Sequence, residues 1–266
     1  MKSFRKITSI LCIFALATLP AKAALVTDWD FEIDSGFTSF TGGSVTGSND
    51  NGYWTAPSTL SWGSGADGPS SIDVGGATNG NVSGSLQTDG ASVNTVSFTH
   101  INNPIAAGAG LTSAMLSDRI FLTPKLPVPG AGFAPPNLVF NILFIETTNA
   151  APCAVAGSPT PCNDIFVLDV EGAGFNPINH TLNQNFGYDG NNYNARLFIT
   201  GLDVLEDSAC AAALAAAGCI GLTTVEGATN TFQVALDITT ETFQVPEPGT
   251  LAILAIGLLA LTRRLN

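Results

Sequence analysis

The sequence contains few basic residues, with nine lysines and arginines and two histidines among 266 residues. Six of the nine lie close to the two ends of the chain, and the other three are Arg119, Lys125 and Arg196. The segment between the ends carries 20 acidic and 3 basic residues, a net charge of −17. Nucleic acids and anionic lipids both need basic contacts. We therefore expect no nucleic-acid partner, whereas an extracellular domain or a divalent cation is compatible with this charge.

Several patterns that would identify common folds are absent. The sequence has no long amphipathic helix, no repeat of about 20–50 residues and no Gly-x-Ser-x-Gly motif. These absences argue against helical bundles, against solenoids and propellers, and against α/β-hydrolases. The apolar run at residues 249–262 has only 14 residues, about 21 Å as a helix, and a bilayer core is about 30 Å thick. It would be a marginal membrane anchor.

The last 22 residues combine three features in a fixed order. The turn Val245-Pro246-Glu247-Pro248-Gly249 comes first, the short apolar run follows, and Arg263-Arg264 ends it. Arginines prefer the cytoplasmic side of a membrane, which predicts one short transmembrane helix with the preceding chain on the outer side. The alternative is an ordinary tail anchor.

This arrangement resembles the PEP-CTERM sorting signal of Gram-negative bacteria, whose Val-Pro-Glu-Pro-Gly motif matches residues 245–249. The resemblance implies an exosortase substrate, recognised by an exosortase-type membrane protease. It further implies transient anchoring in the inner membrane, followed by delivery to the cell surface or the extracellular medium.

The first 23 residues have the pattern of a secretory signal peptide. A basic start is followed by an apolar stretch at residues 7–19 and by Ala21-Lys22-Ala23, a small-residue cleavage site. We expect signal peptidase to cut after Ala23. The predicted organisation is a signal peptide at 1–23, an extracellular domain at 24–244 and the sorting signal at 245–266.

The predicted domain is all-β, an antiparallel β-sandwich of the jelly-roll type. Alternating apolar residues predict strands at 165–170, 197–204 and 231–239, and residues 138–145 are apolar enough for the centre of a sheet. Four dipeptides predict turns, namely Asn51-Gly52, Asn79-Gly80, Asp89-Gly90 and Asp189-Gly190. The prolines between positions 124 and 136 predict an irregular segment that is not a central strand.

The predicted domain contains four cysteines, and export favours disulfides. The local pairs would be Cys153–Cys162 and Cys210–Cys219. The alanines at 211–218 favour a helix, however, and a straight helix would separate Cys210 from Cys219 by about 13 Å, too far for a disulfide. Either the helix is shorter than its composition suggests, or the pairing is different.

Strand alternation places His100 on the same side as Val96 and Phe98, which favours a structural histidine over the base of a Ser-His-Asp triad. We expect Thr99, His100 and Asn102 to satisfy backbone groups where the chain leaves the sheet. Thr99-His100-Ile101-Asn102 also resembles the signature of the THxN family of PEP-CTERM proteins, as do residues 60–63 and 161–166. This resemblance implies a secreted protein without an assigned catalytic residue.

Two further site types have weaker signals. Residues 48–52 and 189–192 offer oxygen ligands for Ca²⁺, although neither has EF-hand spacing and turn chemistry explains both. Tyr53, Trp54 and Trp62 could stack on sugars or could pack in the core.

Together these features predict an exported, non-catalytic cell-surface or extracellular-matrix protein without a required cofactor, linked to extracellular polysaccharide and biofilm. A secreted, lectin-like carbohydrate-binding module is the alternative, and a secreted hydrolase that uses His100 is a third hypothesis.

Overall fold

The structure is a computed structural model that describes residues 24–105, 109–171 and 173–241. The predicted signal peptide and the predicted transmembrane helix lie outside these residues. Within them there are fifteen strands and one short helix. In chain order these are β1 (Asp28–Gly42), β2 (Thr46–Asp50), β3 (Pro57–Trp62), β4 (Ser70–Gly75), β5 (Asn81–Gln87), β6 (Val93–Asn102), β7 (Leu111–Leu126), β8 (Leu138–Ile145), β9 (Asp164–Glu171), β10 (Gly174–Asn176), β11 (Thr181–Tyr188), β12 (Asn191–Ile199), β13 (Asp203–Val204), α1 (Asp207–Ala212), β14 (Ile220–Thr224) and β15 (Ala228–Thr239).

The strands form two antiparallel sheets that pack face to face. Sheet A has seven strands in the order β13-β14-β9-β8-β7-β1-β5, and sheet B has eight in the order β10-β11-β12-β15-β6-β4-β3-β2. One large cluster of buried apolar side chains draws on both sheets. This confirms the predicted all-β sandwich, while the jelly-roll type stays a prediction. In the part of the chain that the structure describes, no helix is both long and apolar enough to cross a membrane.

Strand β8 lies at the centre of sheet A, as its sequence predicts. Its side chains alternate, with Leu138, Phe140, Ile142 and Phe144 buried between the sheets. The second face is less buried than predicted, since Leu143 is 41% exposed. Burying a large apolar side chain contributes about 1.5–3 kcal/mol, so the inner face of this strand is a major part of the core.

In two of the four predicted turns both residues of the dipeptide have positive φ, whereas in Asn51-Gly52 only Gly52 does and in Asp89-Gly90 only Asp89 does. Asp189 and Gly190, with φ of 48° and 74°, join β11 to β12, and Tyr188 pairs with Asn191 across this two-residue loop. Positive φ at both central residues is the geometry that twists a hairpin in the right sense. Asn79-Gly80 has the same geometry between β4 and β5, with φ of 42° and 81°.

Two strand predictions need correction. Residues 197–204 are not one strand, because β12 ends at Ile199, the chain turns at Gly201 (φ 79°), and β13 then joins the other sheet. Pro124 lies inside β7 and not in an irregular segment, opposite Trp29 of β1. This is tolerated because β8 pairs with β7 only as far as Asp118, so no β8 carbonyl needs an N–H from Pro124.

Both local disulfides form, with Cα–Cα distances of 5.3 Å for Cys153–Cys162 and 5.8 Å for Cys210–Cys219. Helix α1 covers only six residues, and the chain turns at Leu214 (φ 57°), which brings Cys219 back to Cys210. The helix is therefore shorter than its alanine content suggests.

The loop closed by Cys153–Cys162 packs against helix α1 and its N-cap residue Glu206 over the outer face of sheet A. The backbone N–H of Ala156 donates to Glu206 Oε2 at 3.0 Å, and the Ser208 hydroxyl donates to the Ala154 carbonyl at 2.6 Å. Beneath them, Ala209 of α1 packs with Ile165 and other apolar residues in a second, smaller cluster. The loop and the helix thereby cover the sheet where β8, β9 and β14 lie side by side.

Candidate functional site

Three acidic side chains from distant parts of the sequence meet at one end of sheet A. Glu146, Asp164 and Glu226 each offer a carboxylate oxygen that lies within 4.8 Å of the other two. Glu146 follows β8 directly, Asp164 is the first residue of β9, and Glu226 lies in the turn after β14. The strands are neighbours, so these positions are adjacent. We refer to these three residues as the carboxylate cluster.

The turn that carries Glu226 is held by a single side chain. Asn230 accepts a hydrogen bond from the Val225 N–H at 2.9 Å and donates to the carbonyls of Val225 and Ala228 at 3.1 and 3.2 Å. Gly227, with φ of 69°, allows the tight reversal from β14 into β15. The local sequence therefore fixes Glu226 beside the sheet end.

The loop between Glu146 and Asp164 is fixed at its base by Thr147. Its backbone N–H donates to Asp164 Oδ1 at 2.7 Å, and its hydroxyl donates to the Cys162 carbonyl at 2.9 Å. Cys162 is itself held by the disulfide to Cys153. These contacts hold the two carboxyl-bearing ends of the loop together.

The segment with the THxN resemblance reaches the cluster from the other sheet. His100 and Asn102 point inward from β6, and both contact Thr224, the last residue of β14. The distances to the Thr224 hydroxyl oxygen are 3.0 Å from His100 Nδ1 and 3.5 Å from Asn102 Nδ2. Asn102 also interacts with the Asp164 carboxyl group, which partly offsets the burial that raises the pKa of Asp164. Its own carbonyl oxygen is buried and accepts no hydrogen bond.

Aromatic rings enclose His100. Trp62 stacks on the imidazole, with centroids 5.5 Å apart, and Phe144 and Phe166 contact its edges at 5.6 and 5.0 Å. The Trp62 indole also faces Glu146, a contact that only partly offsets the burial that raises the pKa of Glu146, and its N–H makes no hydrogen bond of ordinary geometry. Residues from the three segments with the THxN resemblance therefore lie around one site.

Burial dominates the electrostatics of the cluster. Burial, together with the charges of Asp164 and Glu226, raises the pKa of Glu146 to about 8. Burial likewise raises the pKa of Asp164 to about 7, against the hydrogen bond from Thr147, and raises the pKa of Glu226. Removing carboxylates from water disfavours their charged form. The cluster therefore needs either protons or a cation.

No basic side chain of residues 24–241 supplies that positive charge. Arg119 binds Asp34 and Glu32. The other two basic side chains also form ion pairs, Lys125 with Asp30 at 3.0 Å and Arg196 with Asp237 at 2.7 Å. His180 lies 3.3 Å from Asp203. Both carboxylate oxygens of Glu146, both of Glu226 and Oδ2 of Asp164 lack a hydrogen-bond partner.

His100 is poorly placed to act as a catalytic base. It is 1% exposed, and burial lowers its pKa to about 3, so the imidazole is neutral at ordinary pH. Its Nδ1 is engaged by Thr224. The side chain also borders an apolar cavity of about 30 Å³ inside the sandwich. A substrate in solvent could not reach it without opening the core.

Within the described residues, the side chains of the Thr99–Asn102 segment bind hydroxyl groups where the sequence suggests backbone groups. Thr99 faces away from the cluster and pairs with the Thr231 hydroxyl at 3.3 Å. The side chains of His100 and Asn102 bind a hydroxyl instead of backbone groups. The next residue satisfies backbone groups instead, because the Asn103 side-chain amide donates to the carbonyls of Asp67 and Pro69 at 3.2 and 3.0 Å.

The two loops considered for calcium are ordinary turns. Asp50 Oδ1 accepts the Gly52 N–H at 2.7 Å, while the Asn51 amide donates to the Ser35 carbonyl and accepts from Trp54, both at 2.8 Å. Asp189 belongs to the β11–β12 hairpin.

The sequence does not predict the carboxylate cluster, because its members are 18 and 62 residues apart in sequence and only sheet pairing brings them together.

Tyr53, Trp54 and Trp62, for which sugar stacking and core packing were both open, do not form one surface. Trp62 is 1% exposed and belongs to the core. Tyr53 is 51% exposed, contacts Trp54 edge to face at 5.1 Å, and lies under the Arg119 guanidinium at 3.9 Å from its ring centroid. Only Tyr53 and Trp54 remain available as a small sugar-stacking surface.

The other predicted site residues lie at the two ends of the chain, outside the described residues. Residues 244–265 match the PEP-CTERM protein-sorting motif. The chain carries a PEP-CTERM sorting motif. The match contains every predicted sorting residue, from Val245 to Arg264, whereas the signal-cleavage residues Ala21 and Ala23 stay a prediction.

The PEP-CTERM motif implies export, processing by an exosortase-type protease at the membrane, and a final location at the surface or outside the cell. It covers only the tail and does not extend to the sandwich, so membership of the THxN family stays a prediction. No curated protein matches the chain.

Proposed function

We propose that this protein is a non-catalytic component of the cell surface or extracellular matrix, associated with extracellular polysaccharide and biofilm. In this proposal the signal peptide directs export, and the tail holds the chain in the inner membrane. An exosortase then cuts near Pro246-Glu247-Pro248 and frees the sandwich domain. The PEP-CTERM motif at residues 244–265 is the observation that carries the proposal.

Features of the domain support this role. The net charge of −17 between the two ends favours a well-hydrated, soluble domain, and two disulfides suit an oxidising compartment. The burial of His100 argues against the hydrolase hypothesis, because a general base must reach the proton that it abstracts. A screen for hydrolase activity in the wild type and in His100→Ala tests the hydrolase hypothesis directly. Wild-type activity that is lost in a folded His100→Ala variant would support that hypothesis.

Cell fractionation tests the sorting step. The wild-type chain should leave the inner membrane in a shortened form, whereas a Pro246→Ala/Pro248→Ala variant should stay in the membrane with its tail intact. Pro127→Ala/Pro129→Ala is a matched control, since it removes two prolines from the domain and should be processed normally. If wild-type and tail variant both remain in the cytoplasm, the proposal is wrong.

A biofilm assay tests the final role. Deleting the gene should weaken the matrix or release its polysaccharide, and the wild-type gene should restore it, whereas the uncleaved tail variant should not. Unchanged matrix in the deletion strain would remove the biofilm role and leave the sorting step intact.

A carbohydrate-binding module is the second candidate, favoured by the exposure of Tyr53 beside Trp54. Exposed aromatic rings stack on apolar faces of ligands. A glycan array or a polysaccharide pull-down should then show binding that Tyr53→Ala and Trp54→Ala abolish. The control is Tyr188→Ala, which removes an aromatic ring that packs on Trp29 and Phe133. Equal binding by the wild type and all the variants would show that Tyr53 and Trp54 do not bind the carbohydrate.

A further inference from the structure

We propose that Glu146, Asp164 and Glu226, together with Asn102, form a binding site for one calcium ion. The four residues come from both sheets and converge at one end of the sandwich. The proposal concerns the domain alone and does not depend on the sorting motif.

The first argument is uncompensated negative charge. One oxygen from each of the three carboxyl groups lies within 4.8 Å of the other two, a separation that a shared cation can bridge. Asp164 and Glu226 are buried, and Glu146 is half-buried. All three basic side chains between the two ends are engaged by other carboxylates. No basic side chain of the described residues therefore balances the cluster, and an uncompensated buried charge is strongly destabilising.

The second argument rests on the unpartnered oxygen of an uncharged side chain, Asn102. Asn102 is 0% exposed and its carbonyl oxygen has no hydrogen-bond partner, a rare condition for a buried polar atom. Its amide lies against the Asp164 carboxyl group and shares the Thr224 hydroxyl with His100. An amide carbonyl is a common ligand of Ca²⁺. A cation at the cluster would give this oxygen a partner.

The chemistry of the donors selects the metal. All candidate ligand atoms are carboxylate or amide oxygens, which bind hard cations. Softer metals such as Zn²⁺ prefer thiolates and imidazoles, but the four cysteines of the domain are in disulfides and His100 is held by Thr224 and aromatic rings. Mg²⁺ demands near-ideal octahedral geometry, whereas Ca²⁺ accepts the irregular arrangement that two sheets and two loops provide.

Calcium at this position would tie the two sheets together. Asn102 is the last residue of β6 in sheet B. Asp164 is the first residue of β9 in sheet A, and Glu226 lies in the turn that follows β14 of the same sheet. Binding would therefore stabilise the folded domain, because an ion that binds only the folded state raises its stability by mass action.

Calorimetric titration with Ca²⁺ tests the proposal on the intact exported protein after chelator treatment. We expect one calcium ion per chain, weaker binding of Mg²⁺, and a melting temperature that rises by about 5–10 °C at calcium 100-fold above the Kd. Absence of binding at roughly 10 mM calcium, which is about tenfold above the weakest Kd of extracellular calcium modules, would overturn the proposal. Equal affinity for Mg²⁺ would overturn the assignment to calcium.

Matched variants test the ligands. Asp164→Asn and Glu226→Gln should each weaken calcium binding at least tenfold, whereas Asp169→Asn, an exposed residue on the same strand as Asp164, should leave it within twofold. Asn102→Ala should weaken binding less than the acidic variants do. Unchanged affinity in both folded acidic variants would contradict the site.

Terbium luminescence tests the site in the wild-type protein, so its result does not depend on whether the acidic variants fold. Tb³⁺ replaces Ca²⁺ and emits when a nearby tryptophan transfers energy to it, and Trp62 faces Glu146. The wild-type protein should sensitise terbium, and excess calcium should quench the emission. Trp62→Phe should lose most of the signal and Trp54→Phe should keep it. A signal that calcium cannot displace would contradict the proposal.

Discussion

The Nδ1 atom of His100 lies 3.0 Å from the hydroxyl oxygen of Thr224 and joins the two sheets through the core. His100 belongs to β6 of sheet B, and Thr224 ends β14 of sheet A. Both side chains are buried. This contact, with the weaker one from Asn102, places the Thr99–Asn102 segment at the end of the sandwich where the carboxylate cluster lies.

Replacing the shared hydroxyl should destabilise the fold. Thr224→Val keeps the shape but leaves His100 and Asn102 without their partner, which should lower the free energy of unfolding by about 1–3 kcal/mol. Thr223→Val, one position earlier on the same strand and only half-buried, should change it by less than about 0.5 kcal/mol. Urea unfolding measures both. Equal stabilities would mean that the hydrogen bond contributes nothing.

Asp118 should make the domain less stable as the pH rises. Burial raises the pKa of Asp118 to about 7, against its interaction with Ser35. Below about pH 4 the folded and unfolded chains both hold this proton. Between about pH 4 and 7 only the folded chain keeps it, so stability falls by about 1.4 kcal/mol per pKa unit of the shift. Above pH 7 the loss is complete.

Asp118→Asn should therefore reduce the slope of stability against pH between pH 4 and 7, as followed by thermal melts at fixed ionic strength. The slope that remains comes from Glu146 and Asp164, whose pKa values burial also raises. The exposed Asp169→Asn should keep the wild-type slope. A slope that is the same in Asp118→Asn and the wild type would show that another group is responsible.

The disulfides should stabilise the loops over sheet A. Each has a sequence separation of 9, for which chain entropy predicts about 2–3 kcal/mol. Cys210→Ser/Cys219→Ser should lower the unfolding free energy by that amount and release the chain after α1. Peptide mapping without reduction checks the pairing. A peptide that links Cys153 to Cys210 would contradict the structure.

Arg119 should matter far more than Lys125. Arg119 binds the buried Asp34, contacts Glu32 and stacks on Tyr53. Arg119→Met leaves Asp34 uncompensated, which should cost about 3–5 kcal/mol. Lys125→Met breaks a pair whose side chains are half exposed and should cost less than about 1 kcal/mol. Denaturant unfolding compares them, and similar losses would contradict this ranking.

Local sequence patterns predict much of the fold. The alternation in 231–239 and the apolar run at 138–145 predict β15 and the central β8, since the spacing of apolar residues is a local property of the sequence. Asp189-Gly190 predicts its hairpin because few other dipeptides tolerate positive φ at both positions. Local spacing also predicts both disulfides.

Features that depend on distant pairing were not predictable. The chain changes sheets after Ile199, which strand propensity does not encode. Trp62 is an aromatic residue like Tyr53, and only tertiary packing makes one a core residue and the other half exposed. The carboxylate cluster likewise exists only because β8, β9 and β14 lie side by side. Of the three acidic residues in the cluster, Asp164 alone lies in a segment that the sequence analysis singled out, the one at 161–166 with the THxN resemblance.

The mass of the mature protein from its native host is the most direct test of export and exosortase processing. We expect a chain that begins at Ala24 and has lost the apolar tail after the Pro246-Glu247-Pro248 turn, recovered from the surface or the medium. An intact chain of 266 residues at that location would contradict removal of both signals.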